Sequence, residues 1–425
     1  MTVQASTQSA VTTIEQLYRE RTPESARLFA SASRSIPGGN SRQAGYWKPY
    51  PLCIDRAAGV YFYDVDGYDY IDLTFNYTAM VHGHAYPPIV EAVDLAKGTG
   101  WAANNRHMID VAEQLVDRVA SVDQVRFTNS GTEAGLLALT IARLVTGRYK
   151  VLMNRFGYHG SLMEFETGTF DHPGPATLLG EYNNLASFEA VLDEHGSDIA
   201  AVFTEPVMGA GGGVPAEVDF LRGLAAAARD AGALFVADEV ITFRLGLGGW
   251  QGEVGLDPDL TMFGKLIGGG FPVGAVGGSK ELMKVLEPGG GVFHSGTYNA
   301  NPVTMAAGAV SVRELTAARI EEMHRLAERM EVGLRNAAEE AGIAFSMRRV
   351  GSMMSVYFSA EPPSSSMVRE DGEIMSRFHL AALNRGLNIA PRGMVVLATV
   401  VDDAVVDEAV ARASAAMRDV VAENR

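Results

Sequence analysis

Helical stretches alternate with short apolar runs from about residue 87 onward, and this alternation constrains the fold more than any other feature. Three of the apolar runs cover residues 150–153, 199–203 and 233–237. Such alternation is typical of βαβ units, which build a parallel sheet buried between helices. Polar residues follow each run, namely Asn154, Glu205 and Asp238. Ligands of parallel sheets bind beyond the carboxyl ends of the strands, so we expect the chemistry there.

The two ends of the chain predict a second, smaller unit. Residues 13–33 have a helical pattern, residues 37–51 predict an irregular loop, and residues 53–73 predict a hairpin around Asp66-Gly67. Near the other end, a long helix after about residue 305 precedes strand-like pieces at 351–358 and 394–400. An amphipathic last helix follows, with one apolar face made of Val406, Val410, Ala413 and Met417.

The expected fold class is therefore α/β, with a large, mainly parallel central sheet and a small α+β domain assembled from both chain ends. Residues 1–12 are polar without an apolar period and predict a disordered lead. Residues 13–85 and 321–425 are expected to form the small domain, and residues 86–320 the large one.

Composition excludes several classes of function. Cys53 is the single cysteine of the 425 residues, so an intramolecular disulfide is impossible and we expect a reducing, cytoplasmic location. A formal net charge of −16 argues against a nucleic-acid partner. We expect no membrane association either, because no run reaches the roughly 18 apolar residues of a membrane helix. Residues 1–9 also lack the basic and apolar regions of a secretory signal.

Lys265 is the first candidate catalytic residue. Most lysines are solvated surface groups, but Lys265 lies in an apolar run that ends in three glycines, residues 268–270. Such a run makes a poor exposed face. A lysine that loses hydration becomes more nucleophilic and can form a Schiff base with a carbonyl group.

Asp238 closes the apolar run 233–237. It could cap a following helix, or it could pair with a protonated ring nitrogen, as pyridoxal 5′-phosphate (PLP) requires. Val240, two residues on, would point the same way in an extended chain and could press on one face of the ring. Both interpretations of Asp238 are compatible with its position.

The segment Thr128–Ala134 precedes an apolar helix and combines small hydroxyl residues with a glycine. This composition suits a phosphate held at a helix N-terminus. It also suits an ordinary helix cap with Glu133 in the first turn. Tyr158, after the run 150–153, offers an aromatic ring that could stack on a planar cofactor.

Taken in this order, the motifs resemble those of the class III aminotransferases, which are fold-type I PLP enzymes. The matching segments are Asn129–Ala134, Tyr158–Gly160, Thr204–Val207, Asp238–Val240, Gly264-Lys265 and Gly296-Thr297. The resemblance covers about residues 15–420. It implies PLP as the cofactor, with no metal, and a homodimer with shared active sites.

The resemblance also implies a role for each residue of the cofactor site. Lys265 would be the Schiff-base lysine and Asp238 the partner of the pyridine nitrogen. The phosphate would be bound by Ser130, Gly131 and Thr132, and by Thr297 of the neighbouring subunit. Tyr158 would stack on the ring, and Glu205 would support the cofactor region.

Within the family the sequence resembles glutamate-1-semialdehyde aminomutases and, more, the β-phenylalanine (β-amino acid) aminotransferases. Where the aminomutases carry an acidic residue, residues 388–396 contain Arg392. By resemblance to the β-amino acid aminotransferases, Arg42 would bind a substrate carboxylate and Arg392 would be a second carboxylate contact. Guanidinium groups bind carboxylates through two parallel hydrogen bonds. Structural salt bridges are the alternative role for both.

Further aromatic and basic residues have less defined expectations. Tyr46, Trp47, Tyr77 and Met80 could line a substrate pocket or simply pack. Arg244 is expected to be structural. The implied activity is transfer of an amino group from an amino acid, such as a β-amino acid, to 2-oxoglutarate or pyruvate by a ping-pong mechanism. The alternatives are an intramolecular aminomutase, which needs no acceptor, and a non-catalytic PLP-binding regulator.

Overall fold

The computed structural model describes residues 13–96, 98–101, 103–161, 174, 176–364 and 370–423. The predicted disordered lead, residues 1–12, lies outside this range. In the described part, the helices are α1 (Ile14–Arg21), α2 (Pro23–Ala32), α3 (Pro87–Leu95), α4 (Arg106–Arg118), α5 (Gly131–Thr146), α6 (Leu185–His195), α7 (Val218–Asp230), α8 (Gly249–Val254), α9 (Lys280–Met283), α10 (Pro302–Glu314), α11 (Ala317–Ala341), α12 (Gly372–Asn384) and α13 (Asp403–Glu423).

The strands of the same part of the chain are β1 (Ile54–Ala58), β2 (Tyr61–Asp64), β3 (Asp69–Asp72), β4 (Gln124–Thr128), β5 (Lys150–Asn154), β6 (Thr177–Gly180), β7 (Ile199–Thr204), β8 (Val207–Met208), β9 (Val214–Pro215), β10 (Leu234–Asp238), β11 (Leu260–Gly264), β12 (Gly274–Gly278), β13 (Ser346–Val350), β14 (Met353–Tyr357), β15 (Leu387–Asn388) and β16 (Met394–Val396).

A seven-stranded sheet forms the centre of the molecule, in the order β4-β12-β11-β10-β7-β5-β6. Strand β12 is antiparallel to both of its neighbours, and the other pairs are parallel. Every residue of β7 and β11 is buried. Continuous burial follows from helices that cover both faces of a parallel sheet. The apolar runs at 150–153, 199–203 and 233–237 are confirmed as the strands β5, β7 and β10.

Both ends of the chain contribute to a smaller region. The sheet β1-β2-β3-β15 joins three N-terminal strands to a strand near the C-terminus, where β15 runs parallel to β3. Strands near the C-terminus also form a second sheet, in the order β13-β14-β16. The hairpin predicted around Asp66-Gly67 is confirmed as β2 and β3. The predicted α/β architecture, with a small α+β part from both chain ends, is confirmed, while its boundaries stay a prediction.

Two helical predictions were too long. The helical pattern at 13–33 forms α1 and α2, which meet at Thr22 and Pro23. Proline lacks a backbone N–H and favours the first turn of a new helix. The long helix after residue 305 is likewise two helices, because Thr316 caps α11 by accepting a hydrogen bond from the Arg319 N–H at 3.4 Å.

None of the helices in the described ranges combines the length and the apolar character needed to cross a membrane. The last helix, α13, has the predicted apolar face: Val406, Ala413 and Met417 are fully buried, and Val410 packs against the same core at its edge.

Met417→Ala should lower the free energy of unfolding by about 2–5 kcal/mol, because it leaves a cavity in a closed core. Val332→Ala, at an exposed position of the neighbouring helix α11, should change it by less than about 0.5 kcal/mol. Denaturant titration of both variants measures the difference. Equal losses would contradict the assignment of Met417 to the core of the small region.

Candidate active site

Four adjacent strands of the large sheet bring the predicted site residues to one edge. Strands β11, β10, β7 and β5 lie side by side and are parallel. Lys265, Asp238 and Glu205 lie at the carboxyl ends of the first three. Tyr158 follows β5 after a short turn. The clustering expected beyond the carboxyl ends of the strands is therefore present in the structure.

Lys265 begins a short 3₁₀ turn directly after β11 and has a φ of 51°. A left-handed backbone costs a non-glycine residue free energy, and such residues concentrate at functional sites. Burial lowers the pKa of the Lys265 amine, although the negative charges of Asp238 and Glu205 oppose this effect. A lysine with a lowered pKa is more often neutral, and only the neutral amine is a nucleophile.

Asp238 is buried, and both of its carboxylate oxygens have partners. Oδ2 lies 2.8 Å from Nδ1 of His159, and Oδ1 accepts a hydrogen bond from the Val240 N–H at 3.0 Å. Asp238 therefore does not cap a helix. His159 had no role in the sequence predictions, although it belongs to the quoted motif Tyr158–Gly160. Its buried ring fixes the orientation of the Asp238 carboxylate.

Glu205 holds two loops together beside Lys265. Its Oε2 accepts from the Tyr158 N–H at 3.0 Å, and its Oε1 accepts from the Gly209 N–H at 3.0 Å. Burial raises the pKa of the Glu205 carboxyl to about 7, with the nearby Asp238 adding to the effect and His159 opposing it. The bond to Tyr158 sets the position of the residue predicted to stack on the ring.

The helix α5 begins at Gly131, in the segment predicted to bind phosphate. Ser130 is its N-cap, and the Ser130 Oγ accepts from the Glu133 N–H at 3.1 Å. The ordinary cap interaction is therefore present. The same hydroxyl keeps its own hydrogen for donation. Backbone N–H groups of the first turn and the positive end of a 16-residue helix also face this edge of the sheet.

Glycines allow the segments that carry these residues to pack closely against one another. A Cβ atom at Gly131 or Gly264 would lie within 3.4 Å of the Val240 methyl groups. A Cβ at Gly160 would lie 2.6 Å from Cα of Thr132. With Lys265 and Asp238 at the same edge, the donor set fits PLP: an amine for its carbonyl, a carboxylate for its ring nitrogen and a helix start for its phosphate.

Thr297 lies on an exposed loop. Phe293 and Tyr298, on the same loop, are 95% and 68% exposed. The loop contacts α5, because a Cβ at Gly291 would lie 3.1 Å from Leu144. The same loop also reaches the segment before α5, because the Asn129 Nδ2 donates to Oδ1 of Asn299 at 2.8 Å.

The three predicted substrate-binding residues lie close together, on segments from both ends of the chain. Burial raises the pKa of the Tyr77 phenol, while the positive charges of Arg392 and Arg42 oppose this effect. Arg42 Nη1 donates to Oδ1 of Asn76 at 2.8 Å. The Tyr77 hydroxyl donates to the Ala44 carbonyl oxygen.

The other aromatic and basic candidates occupy different surroundings. Trp47 packs edge-on against His379 at 4.9 Å and donates to the Tyr18 hydroxyl at 3.1 Å. Met80 lies beside Gly270, where an added Cβ would be 2.7 Å from its sulfur. Arg244 is fully buried and donates to the Leu397 carbonyl oxygen, which agrees with a structural role.

Glu239, next to Asp238, points away from the site and had no predicted role. Its carboxylate accepts from the Gln251 N–H at 2.6 Å and the Trp250 N–H at 3.2 Å, so it caps α8. Thr242 also donates to it. Burial raises the pKa of the Glu239 carboxyl to about 7, against the effect of these hydrogen bonds.

Comparisons with known proteins agree with this geometry. The family model described as aminotransferase class-III matches residues 43–421. The β-phenylalanine transaminase of Variovorax paradoxus is 37% identical over 93% of this chain and 92% of its own length. A glutamate-1-semialdehyde 2,1-aminomutase of Ignicoccus hospitalis is 38% identical over 86% of this chain and 92% of its own length. A solved transaminase with PLP bound superposes with a TM-score of 0.89 at 32% identity, over 95% of this chain and 99% of its own.

Glu239→Gln should alter how stability depends on pH. The ordinary pKa of this carboxyl is 4.5, and it is about 7 in the folded protein. Between these values the folded state retains a proton that the unfolded chain releases. The wild type therefore loses stability relative to Glu239→Gln as pH rises from 5 to 7, and the difference is constant above about 8.

Denaturant titrations at several pH values measure this difference. Glu253→Gln, at an exposed position of the same helix α8, is the control and should follow the wild-type profile. A wild-type minus Glu239→Gln difference that stays constant from pH 5 to 8 would contradict the raised pKa.

Proposed function

The chain belongs to the class-III aminotransferases, which are PLP-dependent fold-type I enzymes, and from this premise we propose its substrates. The amino donor is a β-amino acid such as β-phenylalanine, and the acceptor is 2-oxoglutarate or pyruvate. The single observation that carries this choice is the presence of two guanidinium groups, Arg42 and Arg392, near the Tyr77 phenol. Their positive charges oppose the rise in the pKa of this phenol. The named activity of the Variovorax paradoxus relative supports the choice of donor.

Two arginines solve a problem that every aminotransferase faces. The same cavity must accept an amino acid in one half-reaction and a different keto acid in the other. Each guanidinium can bind one carboxylate through paired, charge-assisted hydrogen bonds. Arg42 and Arg392 can therefore bind the acid group of the donor on one side and that of the acceptor on the other.

Lys265 is the proposed proton carrier. PLP, when bound, withdraws the electrons left on the substrate carbon after that carbon loses its proton. The neutral Nζ of Lys265 takes this proton and returns it, as a general base and then a general acid. Asp238 presents its carboxylate to the ring nitrogen, and His159 keeps that carboxylate in position.

The remaining residues hold the cofactor. Ser130, Gly131 and Thr132 bind its phosphate at the start of α5. Tyr158 and Val240 contact the two faces of its ring. Glu205 supports this arrangement through its hydrogen bond to the Tyr158 N–H.

The working molecule is a homodimer in the cytoplasm. Phe293 and Tyr298 expose large apolar surfaces beside Thr297. Leu136 and Leu144, on the neighbouring helix α5, are also exposed. A second copy of the chain covers this apolar surface and brings the Thr297 hydroxyl to the phosphate of the facing site. The single cysteine supports the reducing compartment.

A glutamate-1-semialdehyde aminomutase is the second candidate function. One such enzyme is 38% identical to this chain, about as similar as the β-phenylalanine transaminase. An aminomutase moves the amino group within one substrate and needs no acceptor. The positive charge of Arg392, where the aminomutases carry an acidic residue, favours the aminotransferase.

Lys265→Ala should abolish turnover, with a loss of at least about 10²–10⁴-fold, because the proton carrier is missing. PLP should stay bound without a covalent link. Borohydride reduction followed by mass spectrometry detects the link, and a coupled assay measures the rate. Lys280 is an exposed lysine of α9, and Lys280→Ala should retain both the covalent link to PLP and the wild-type rate. Substantial activity of Lys265→Ala would refute the assignment.

A panel of α- and β-amino acids, each with 2-oxoglutarate or pyruvate, tests the proposed substrates. β-Phenylalanine should yield glutamate or alanine only when an acceptor is present. Initial rates at several fixed acceptor concentrations should give the parallel double-reciprocal lines of a ping-pong mechanism. The proposal fails if β-amino acids do not react while glutamate-1-semialdehyde is isomerised without an acceptor.

A further inference from the structure

The two proposed carboxylate-binding arginines lie near opposite ends of the chain, so something must hold them at a fixed separation. Neither lies in a helix or strand: Arg42 follows the loop residues Pro37–Gly39, and Arg392 lies between β15 and β16. A loop side chain is positioned only as well as the contacts that hold its loop. Following those contacts inward from each arginine leads to the same buried residue.

The first path starts at Arg42 and reaches the turn Phe75–Thr78. Arg42 donates to Asn76 Oδ1 at 2.8 Å, and Tyr77 fastens the same loop through the Ala44 carbonyl oxygen. The four residues 75–78 have φ values of 42°, 52°, 53° and 77°, and none is glycine. Left-handed backbone costs about 1–2 kcal/mol per residue, so this turn requires anchoring from outside itself.

Asp72 supplies that anchor. Its Oδ1 accepts from both the N–H and the hydroxyl of Thr74, at 2.9 and 2.7 Å. Thr74 precedes the left-handed turn directly, and the Thr74 carbonyl oxygen accepts from the Thr78 N–H at 3.2 Å across it. The turn is therefore attached to the Asp72 carboxylate through Thr74, the residue that precedes it.

The second path starts at Arg392 and reaches the same carboxylate. Arg392 lies in a tight turn closed by hydrogen bonds between Ala390 and Met394 and between Gly393 and Ala390. This turn continues from Asn388, whose Nδ2 donates to Asp72 Oδ1 at 2.8 Å and to the Thr74 hydroxyl at 3.3 Å. The hydrogen-bonded paths from both arginine-bearing segments thus meet at Oδ1 of Asp72.

The remaining oxygen of Asp72 keeps the group charged and fixed. Oδ2 lies 2.7 Å from Nε2 of His84. Burial alone would raise the pKa of Asp72, but hydrogen bonds from His84 and Thr74 outweigh it and hold the pKa below its ordinary value. The Asp72 side chain is 3% exposed, so water cannot replace these partners at little cost.

We propose that Asp72 is a positioning residue that sets the separation of Arg42 and Arg392, and thereby selects a keto acid with two carboxylates as the acceptor. This inference rests on the proposed function, in which the arginines bind substrate carboxylates. A dicarboxylate such as 2-oxoglutarate contacts both guanidinium groups at once and depends on their spacing. Pyruvate, with one carboxylate, needs only one of them.

Asp72→Asn tests the inference, because it keeps the size of the side chain while removing its charge and altering the contact with His84. In the PLP-loaded enzyme it should raise KM for 2-oxoglutarate about tenfold, because a displaced arginine weakens one charge-assisted contact to a carboxylate of this substrate. The kcat, and KM for pyruvate, should change less than about twofold. This split distinguishes positioning from general damage.

Asp64→Asn is the matched control. Asp64 is equally buried in the adjacent strand β2 and accepts from the Asp66 and Tyr68 N–H groups and the Tyr70 hydroxyl. None of these bonds leads to an arginine segment. Its substitution should leave the ratio of the two KM values unchanged, whatever it does to stability.

Two further variants each disrupt one of the two hydrogen-bonded paths, and they test the inference even if Asp72→Asn does not fold. Asn76→Ala removes the support of Arg42, and Asn388→Ala removes the link between Asp72 and the Arg392 turn. Each should raise KM for 2-oxoglutarate severalfold and leave KM for pyruvate within about twofold. Unchanged KM values in both variants would overturn the inference.

Arg42→Ala and Arg392→Ala separate the two levels of the argument. If these variants raise KM for 2-oxoglutarate while the Asp72, Asn76 and Asn388 variants do not, the inference is wrong and the proposed function stands. If neither arginine variant changes any KM, the proposed carboxylate-binding role is wrong, and the inference that rests on it is wrong as well. Equal effects on 2-oxoglutarate and pyruvate, or on kcat, would also overturn it.

Discussion

Three ionisable groups lie at one edge of the large sheet, and the chemistry depends on how their charges act on one another. Lys265 loses hydration at the end of β11, which favours its neutral form, while Asp238 and Glu205 favour the charged form. Glu205 is itself pushed towards protonation by burial and by Asp238. His159 and the Val240 N–H hold the Asp238 carboxylate in a fixed orientation. In a low-dielectric edge of this kind, a change at one group shifts the charge of the others.

Close backbone packing makes room for this cluster. The strand β12 has the sequence Gly-Ala-Val-Gly-Gly and lies between β4 and β11. A Cβ atom at Gly274 would lie 2.0 Å from the Ser130 carbonyl oxygen. Only glycine allows the loop before α5 to come so near the strand. The position of the proposed phosphate site therefore depends on a strand that contributes no functional side chain.

The sequence predicted the large sheet and its site edge because local signals encode both. Apolar runs followed by Glu205, Asp238 and Lys265 are visible without any tertiary information. Glu239 could also have been assigned, because alternation along a strand places it opposite Asp238 and Val240. Pro23 likewise carries a signal for the helix break that the longer prediction overlooked.

Other features depend on which strands become neighbours, and no local pattern contains that information. His159 contacts Asp238 only because β5 and β10 both adjoin β7. The shared dependence of Arg42 and Arg392 on Asp72 requires β15 to lie beside β3. The pairing of β15 with β3 also bears on synthesis: 316 residues separate Asp72 from Asn388, roughly half a minute of translation at 5–20 residues per second. Until then one edge of β3 has no native partner, so a nascent chain leaving the ribosome presents an open strand that a chaperone could recognise.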